Sequence, residues 1–102
     1  MRLEHYSQEK LKKEILEIVG KYLDLKKYKV FFFGSRVSGK GNERSDIDIG
    51  IEGPEKISNS IIFNIKDEVE NLTILYRIDI VNFTDASKKF LEVASQFKQY
   101  IN

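Results

Sequence analysis

Three aspartates and one glycine–serine turn carry the chemistry of this sequence. The stretch Phe31 to Gly53 reads FFFGSRVSGKGNERSDIDIGIEG. An aromatic run stops at Gly34-Ser35, and a basic, glycine-bearing loop follows. Asp46 and Asp48 then flank a single isoleucine, and Asp79 sits later in a similar setting, RIDIV. In a strand, residues i and i+2 share one face, so Asp-x-Asp holds two carboxylates side by side. Converging carboxylates repel one another, and such a patch calls for a cation. All-oxygen ligation suits Mg2+ or Mn2+, bound through a few carboxylates plus substrate phosphates. Two such ions about 3.5–4 Å apart can activate an attacking oxygen and stabilise a leaving phosphate. The turn supplies the complement. Gly34 lets backbone approach a phosphate closely. Ser35 offers a hydroxyl and an N–H, and helical N–H groups after it would favour an anion. Arg36, Lys40 and Arg44 add positive charge near the same loop.

The elements that must position these residues can be read from periodicity. Leu11, Ile15, Ile18, Val19, Tyr22 and Leu23 predict an amphipathic helix over 7–24, with Ser7 as its N-cap. Residues 28–33 predict a buried strand, and Phe31 to Phe33 are core rather than a stacking platform. Gly34 to Gly41 is a turn, with room for one helical turn starting at Ser35. Over 46–52, Ile47, Ile49 and Ile51 point one way, and Asp46, Asp48 and Glu52 the other. Gly53-Pro54 ends that strand. Ile57, Ile61, Ile62, Ile65, Val69 and Leu72 predict a core-facing helix over 57–71. Residues 75–82 alternate again, with Ile78 and Ile80 opposite Arg77, Asp79 and Val81. Phe90, Leu91, Val93, Ala94, Phe97 and Ile101 predict a terminal helix capped by Thr84 or Asp85.

This order predicts one α/β (α+β) domain over residues 1–102, with a small mixed three-stranded sheet covered by helices. The short polar link between the first two strands suits an antiparallel or folded-back arrangement. The helix between the second and third is a crossover, so those two should be parallel. All three aspartates would then gather at one end of the sheet, beside Gly34-Ser35.

Composition narrows the classes further. The chain has 102 residues and a hydrophobic fraction of 41%, enough for one core. Its 17 Lys and Arg against 16 Asp and Glu leave a net charge of +1, which does not indicate a general affinity for nucleic acid. With no cysteine there is neither a disulfide framework nor a thiolate zinc site. The first ten residues lack an apolar signal-peptide core, and no apolar run approaches the ~20 residues of a membrane span, so the expectation is a cytoplasmic protein without a membrane association. His5 is the one histidine and lies in a polar context.

Taken singly, each motif has an ordinary reading. Asp46 suits a strand start, Asp48 and Asp79 suit a solvated strand face, Gly34-Ser35 suits any turn, and the basic residues suit a solvated loop. Together they resemble a known family. GSR, followed eleven residues after its serine by DID and one helix later by RIDIV, resembles the DNA polymerase β-type nucleotidyltransferase superfamily. GSRVSGKGNERSDIDIGI is similar to its minimal nucleotidyltransferases (MNT), small prokaryotic proteins commonly found beside a HEPN-domain partner, often as antitoxins. The resemblance runs from the first helix to the third strand. It implies a polymerase β-like nucleotidyltransferase fold. It also implies that Gly34, Ser35 and Arg36 bind nucleotide, that Asp46, Asp48 and Asp79 are catalytic and hold metal, and that Asp79 helps activate the acceptor hydroxyl. Val37 stands where the family commonly has a smaller residue.

The implied activity is Mg2+-dependent transfer of a nucleotidyl group, AMP from ATP, to an acceptor hydroxyl, with two ions expected. Larger relatives use added domains to grip the acceptor, and with about 100 residues here another polypeptide should present it. The resemblance points to a HEPN-type protein neutralised in a toxin–antitoxin pair. Two alternatives remain open from sequence: a non-catalytic module that neutralises its partner by contact, and transfer to a small molecule or RNA.

Overall fold

A computed structural model describes residues 7–34, 47–72, 76–84 and 98–102. The elements in chain order are α1 (Gln8–Val19), β1 (Lys29–Phe33), β2 (Ile47–Glu52), α2 (Asn59–Glu70), β3 (Ile78–Asn82) and β4 (Gln99–Tyr100). Helix α1 begins where predicted, because the Ser7 hydroxyl accepts from the Lys10 N–H. It ends earlier than predicted. After Val19 the backbone tightens into turns, with Lys21 N–H bonded to Ile18 C=O and Tyr22 N–H to Val19 C=O. Tyr22 and Leu23 still pack against the core, so apolar spacing outlasts the helix. In α2, Ser58 is the cap, its hydroxyl accepting from Ile61 N–H.

The sheet runs β3-β2-β1-β4. As predicted, β1 and β2 are antiparallel and β2 and β3 parallel. Strand alternation divides it into two faces. Val30, Phe32, Ile47, Ile49, Ile51 and Ile80 lie on one and pack against Leu11, Ile15, Ile62, Ile65 and Val69 of the helices. Phe31, Phe33 and Phe83 form a separate cluster on the other. The aromatic run is thus core on both sides of β1.

Two expectations about the C-terminal segment need correction. Among the described residues the sheet has four strands, not three, and Ile101 does not belong to a helix. Gln99 and Tyr100 pair antiparallel with Phe32 and Phe31. The Ile101 N–H donates to Val30 C=O at 2.7 Å, and Val30 N–H donates to Asn102 Oδ1 at 2.7 Å. The Asn102 amide also donates to Leu25 C=O and Tyr28 C=O. The outer edge of β1 carries backbone groups that need partners, and this segment supplies them. Helical spacing of the preceding apolar residues concealed that demand. The rest of the predicted terminal helix and its Asp85 cap lie outside the described residues, as does His5. The Thr84 hydroxyl accepts from Ile57 N–H and donates to Asn82 Oδ1, fastening the loop before α2 to the end of β3.

On the aromatic face, Lys98 Nζ lies 2.9 Å from Glu52 Oε2 and 4.7 Å from the Phe31 ring centroid. The Tyr100 hydroxyl donates to Glu52 Oε1 at 2.8 Å. Burial works against the Lys98 charge, but the Glu52 carboxylate outweighs it and raises the ammonium above its ordinary value of 10.5.

Gly50 is a packing requirement. It lies opposite Phe31, whose ring meets Phe83 edge-on at 4.9 Å between centroids. A Cβ on Gly50 would stand 2.7 Å from Phe83 Cε1 and overlap the Phe31 ring. We therefore expect Gly50→Ala to cost about 1–3 kcal/mol of stability through overpacking, measured by denaturant unfolding. Wild-type stability would show that the rings move freely.

A second prediction concerns pH. Glu68 on α2 accepts from Lys21 Nζ and from the Tyr22 hydroxyl, clipping the end of α1 to α2. Those bonds hold its pKa below the ordinary 4.5. A depressed folded pKa contributes stability that is complete above about pH 4.5 and is lost as pH falls through the depressed value. Glu68→Gln should therefore flatten the fall in melting temperature over that acid window. An equal fall in both proteins would mean that the clip carries no stability.

Candidate active site

The parallel pairing of β2 and β3 sets Asp48 directly opposite Asp79. The antiparallel pairing sets Phe33 opposite Asp48 on the other side. A row Phe33–Asp48–Asp79 therefore crosses the sheet at the start of β2, with neighbours roughly 4.7–4.9 Å apart by strand spacing. It lies on the face opposite α1 and α2. Asp48 is half-buried and Asp79 exposed.

Gly34 closes this row on the β1 side. Its φ is +88°, the only positive φ among the described residues. A Cβ there would overlap the Asp48 carboxylate and sit 3.2 Å from its Cγ. Glycine at 34 thus does two things: it adopts a left-handed turn, and it brings bare backbone against a carboxylate. This cradle fits the phosphate-and-metal chemistry expected of the turn, because a side chain would fill the space beside the acidic row. Carboxylate oxygens are hard donors, the kind Mg2+ takes.

Of the predicted site residues, Gly34, Asp48 and Asp79 are brought together. Ser35, Arg36 and Asp46 lie outside the described residues, as do Lys40 and Arg44. Among the described residues, no group of three metal-ligating side chains occurs. Sequence reasoning missed Gly50, which separates Asp48 from Glu52 on the same face. It also missed a pocket of about 290 Å³ between the end of α2 and β3, which Asp79 helps to line along with Lys66, Glu70, Tyr76 and Arg77. Nothing in the alternation of RIDIV indicated that pocket.

Among the described residues, a mixed sheet carries two helices on one face and an in-register acidic pair on the other, beside a left-handed glycine turn, an arrangement that suits a nucleotidyltransferase. Residues 13–101 match the family described as polymerase beta, nucleotidyltransferase. The chain belongs to this family. A relative from Haemophilus influenzae, named probable protein adenylyltransferase MntA, is 30% identical over 90 residues, which cover 86% of this chain and 79% of that protein. Among solved structures, a chain in a crystal structure of a toxin–antitoxin with AMP-PNP superposes with a TM-score of 0.71 at 18% identity, covering 89% of this chain and 72% of that one. A chain in the structure of a tri-AMPylated Shewanella oneidensis HEPN toxin in complex with MNT antitoxin gives 0.68 at 16% identity, covering 93% and 72%. At these identities the structural likeness establishes the fold.

The Gly34–Asp48 contact is testable by a double-mutant cycle. Gly34→Ala should cost about 1–3 kcal/mol, from a disfavoured φ and from displacement of the carboxylate. In an Asp48→Ala background the cost should shrink, because the group displaced is gone. Additive costs in denaturant unfolding would mean that the two residues do not press on each other.

Proposed function

We propose that the chain is a Mg2+-dependent adenylyltransferase. It moves AMP from ATP to a hydroxyl on a HEPN-type partner protein and acts as the antitoxin of a toxin–antitoxin pair in the cytoplasm. The observation that carries this reading is the register of Asp48 with Asp79, beside the bare backbone of Gly34. The relative named as a protein adenylyltransferase supports the reaction, and the AMPylated HEPN toxin found with an MNT antitoxin supports the acceptor class.

In this reading Gly34, Ser35 and Arg36 hold the triphosphate, with backbone and guanidinium donors meeting anionic oxygens. Asp46, Asp48 and Asp79 hold the metal. Mg2+ bound there would offset the charge between carboxylates and triphosphate and polarise the phosphoryl group. Asp79, at the acceptor end of the row, takes the proton of the attacking hydroxyl. The acceptor oxygen bonds to the α-phosphorus, and the bond from that phosphorus to pyrophosphate breaks. The positioning of both ends by rigid strands favours an in-line approach. Among the described residues, no helix is long and apolar enough to cross a membrane.

The test is incubation of the chain with α-labelled ATP, Mg2+ and a HEPN-type partner protein. Label should pass to the partner and pyrophosphate should appear. Asp79→Asn should lower the rate by about 10²–10⁴-fold, the scale of a lost general base, and EDTA should abolish transfer. A tight complex that never becomes labelled would replace transfer with neutralisation by contact.

A further inference from the structure

Three aromatic rings connect the far end of β3 to the turn at Gly34. By strand alternation Phe31 and Phe33 share the face of Asp48 and Asp79. Phe83 joins them in a cluster separate from the helix-covered core. Its ring meets Phe31 at 4.9 Å and Phe33 at 5.0 Å between centroids, edge-on in both cases. Gly50 makes that reach possible, because its missing side chain leaves the place over β2 where the Phe31 and Phe83 rings meet.

Phe33 is the residue that this packing fixes. Val30 turns its N–H to Asn102 Oδ1 and its C=O to the Ile101 N–H. Backbone groups alternate along a strand, so Phe31 and Phe33 turn theirs to β2, where Phe33 lies opposite Asp48. The next residue, Gly34, adopts a φ of +88° and brings its backbone against the Asp48 carboxylate. Phe33 therefore stands between a ring contact on one side and both partners of the turn on the other. The Phe83 end of this chain of contacts is the anchored one. Phe83 N–H donates to Ile51 C=O, and its neighbours Asn82 and Thr84 bond the backbone of Ile57. Phe83 is 5% exposed and Phe33 7%, so neither ring is open for a base to stack on.

We propose that Phe83 is a positioning residue for the nucleotide site. Its ring, seated over Gly50, holds Phe33 in place and thereby fixes the distance between the Gly34 backbone and the Asp48 carboxylate. This rests on the reading of that pair as phosphate and metal ligands. Such constellations need their geometry held within about 0.5 Å, and a misplacement of about 1 Å can cost a hundredfold. A glycine turn has little stiffness of its own. The stiffness must come from the strand that leads into it, and edge-to-face rings supply directional contacts that an aliphatic side chain does not.

The test is calorimetric affinity for Mg2+–ATP, set against the melting temperature without ligand. Phe83→Leu keeps the cluster apolar and removes the ring edges. It should lower the melting temperature and also weaken Mg2+–ATP binding about tenfold. Ile65→Val and Ile65→Ala, in the helix-covered core, should bracket its loss in melting temperature and bind Mg2+–ATP as wild type does. Gly50→Ala displaces the same rings in a chain that keeps Phe83, and it should weaken binding likewise. If Phe83→Leu, or Gly50→Ala where the former does not fold, binds Mg2+–ATP as the Ile65 variants do, then Phe83 is packing alone. The positioning role is then overturned, and the reading of the nucleotide site stands. If wild type itself binds no Mg2+–ATP, both fall.

Discussion

One strand pairing governs this molecule. Because β2 and β3 run parallel and in register, Asp48 and Asp79 must be neighbours. Like charges opposite one another weaken a sheet, so this pairing is one that burial elsewhere must offset. The parallel direction requires a crossover, and α2 makes it on the isoleucine face. The acidic face is left without α1 or α2 above it. A site between carboxylates and the left-handed turn at Gly34 follows from that one choice of direction.

The remainder of the acidic face is held by different chemistry. Beyond Asp48 on β2 comes Gly50, over which Phe31 and Phe83 meet, and then Glu52, which gathers Lys98 and Tyr100. Polar, aromatic and ionic zones thus succeed one another at every second residue of a six-residue strand. The aromatic zone contributes burial on a face that would otherwise be polar. Lys98 is stabilised there by Glu52 and by the ring beneath it. Among the described residues, the packing on this face is concentrated around Phe31, Phe83 and Glu52, away from Asp79.

Much of this was legible in the residues. Period-two alternation in DIDIGI and RIDIV located β2 and β3, and the helix between them dictated their direction. Direction gathered the aspartates at one end of the sheet, and the register that sets Asp48 opposite Asp79 is a property of the folded pair. Helix limits were less legible, because Tyr22 and Leu23 keep helical spacing while the backbone has already turned. The segment Gln99–Asn102 was misread for a related reason. Apolar spacing reports burial, and it does not say whether backbone groups are satisfied within a helix or by a neighbouring strand. Only the unpaired edge of β1 decides that, and an edge is a property of the folded sheet. Gly50 could not be read either, since the rings that exclude a Cβ come from positions 31 and 83. The roles expected of Ser35, Arg36 and Asp46 rest on their neighbours in the motif.

The way Asn102 reaches back to Val30 bears on how the chain assembles. The two are separated by 72 positions, whereas β1 and β2 are joined by a short link. Closing a longer loop costs more chain entropy, and non-local pairings slow folding. The β1–β2 hairpin and the crossover into β3 can therefore form while the far side of β1 still lacks a partner. During that interval an apolar strand, KVFFF, offers an unpaired edge to any other strand it meets. The two-residue β4 and one asparagine side chain act as a late latch on that edge, and crowding during synthesis would press hardest on the moment before it closes.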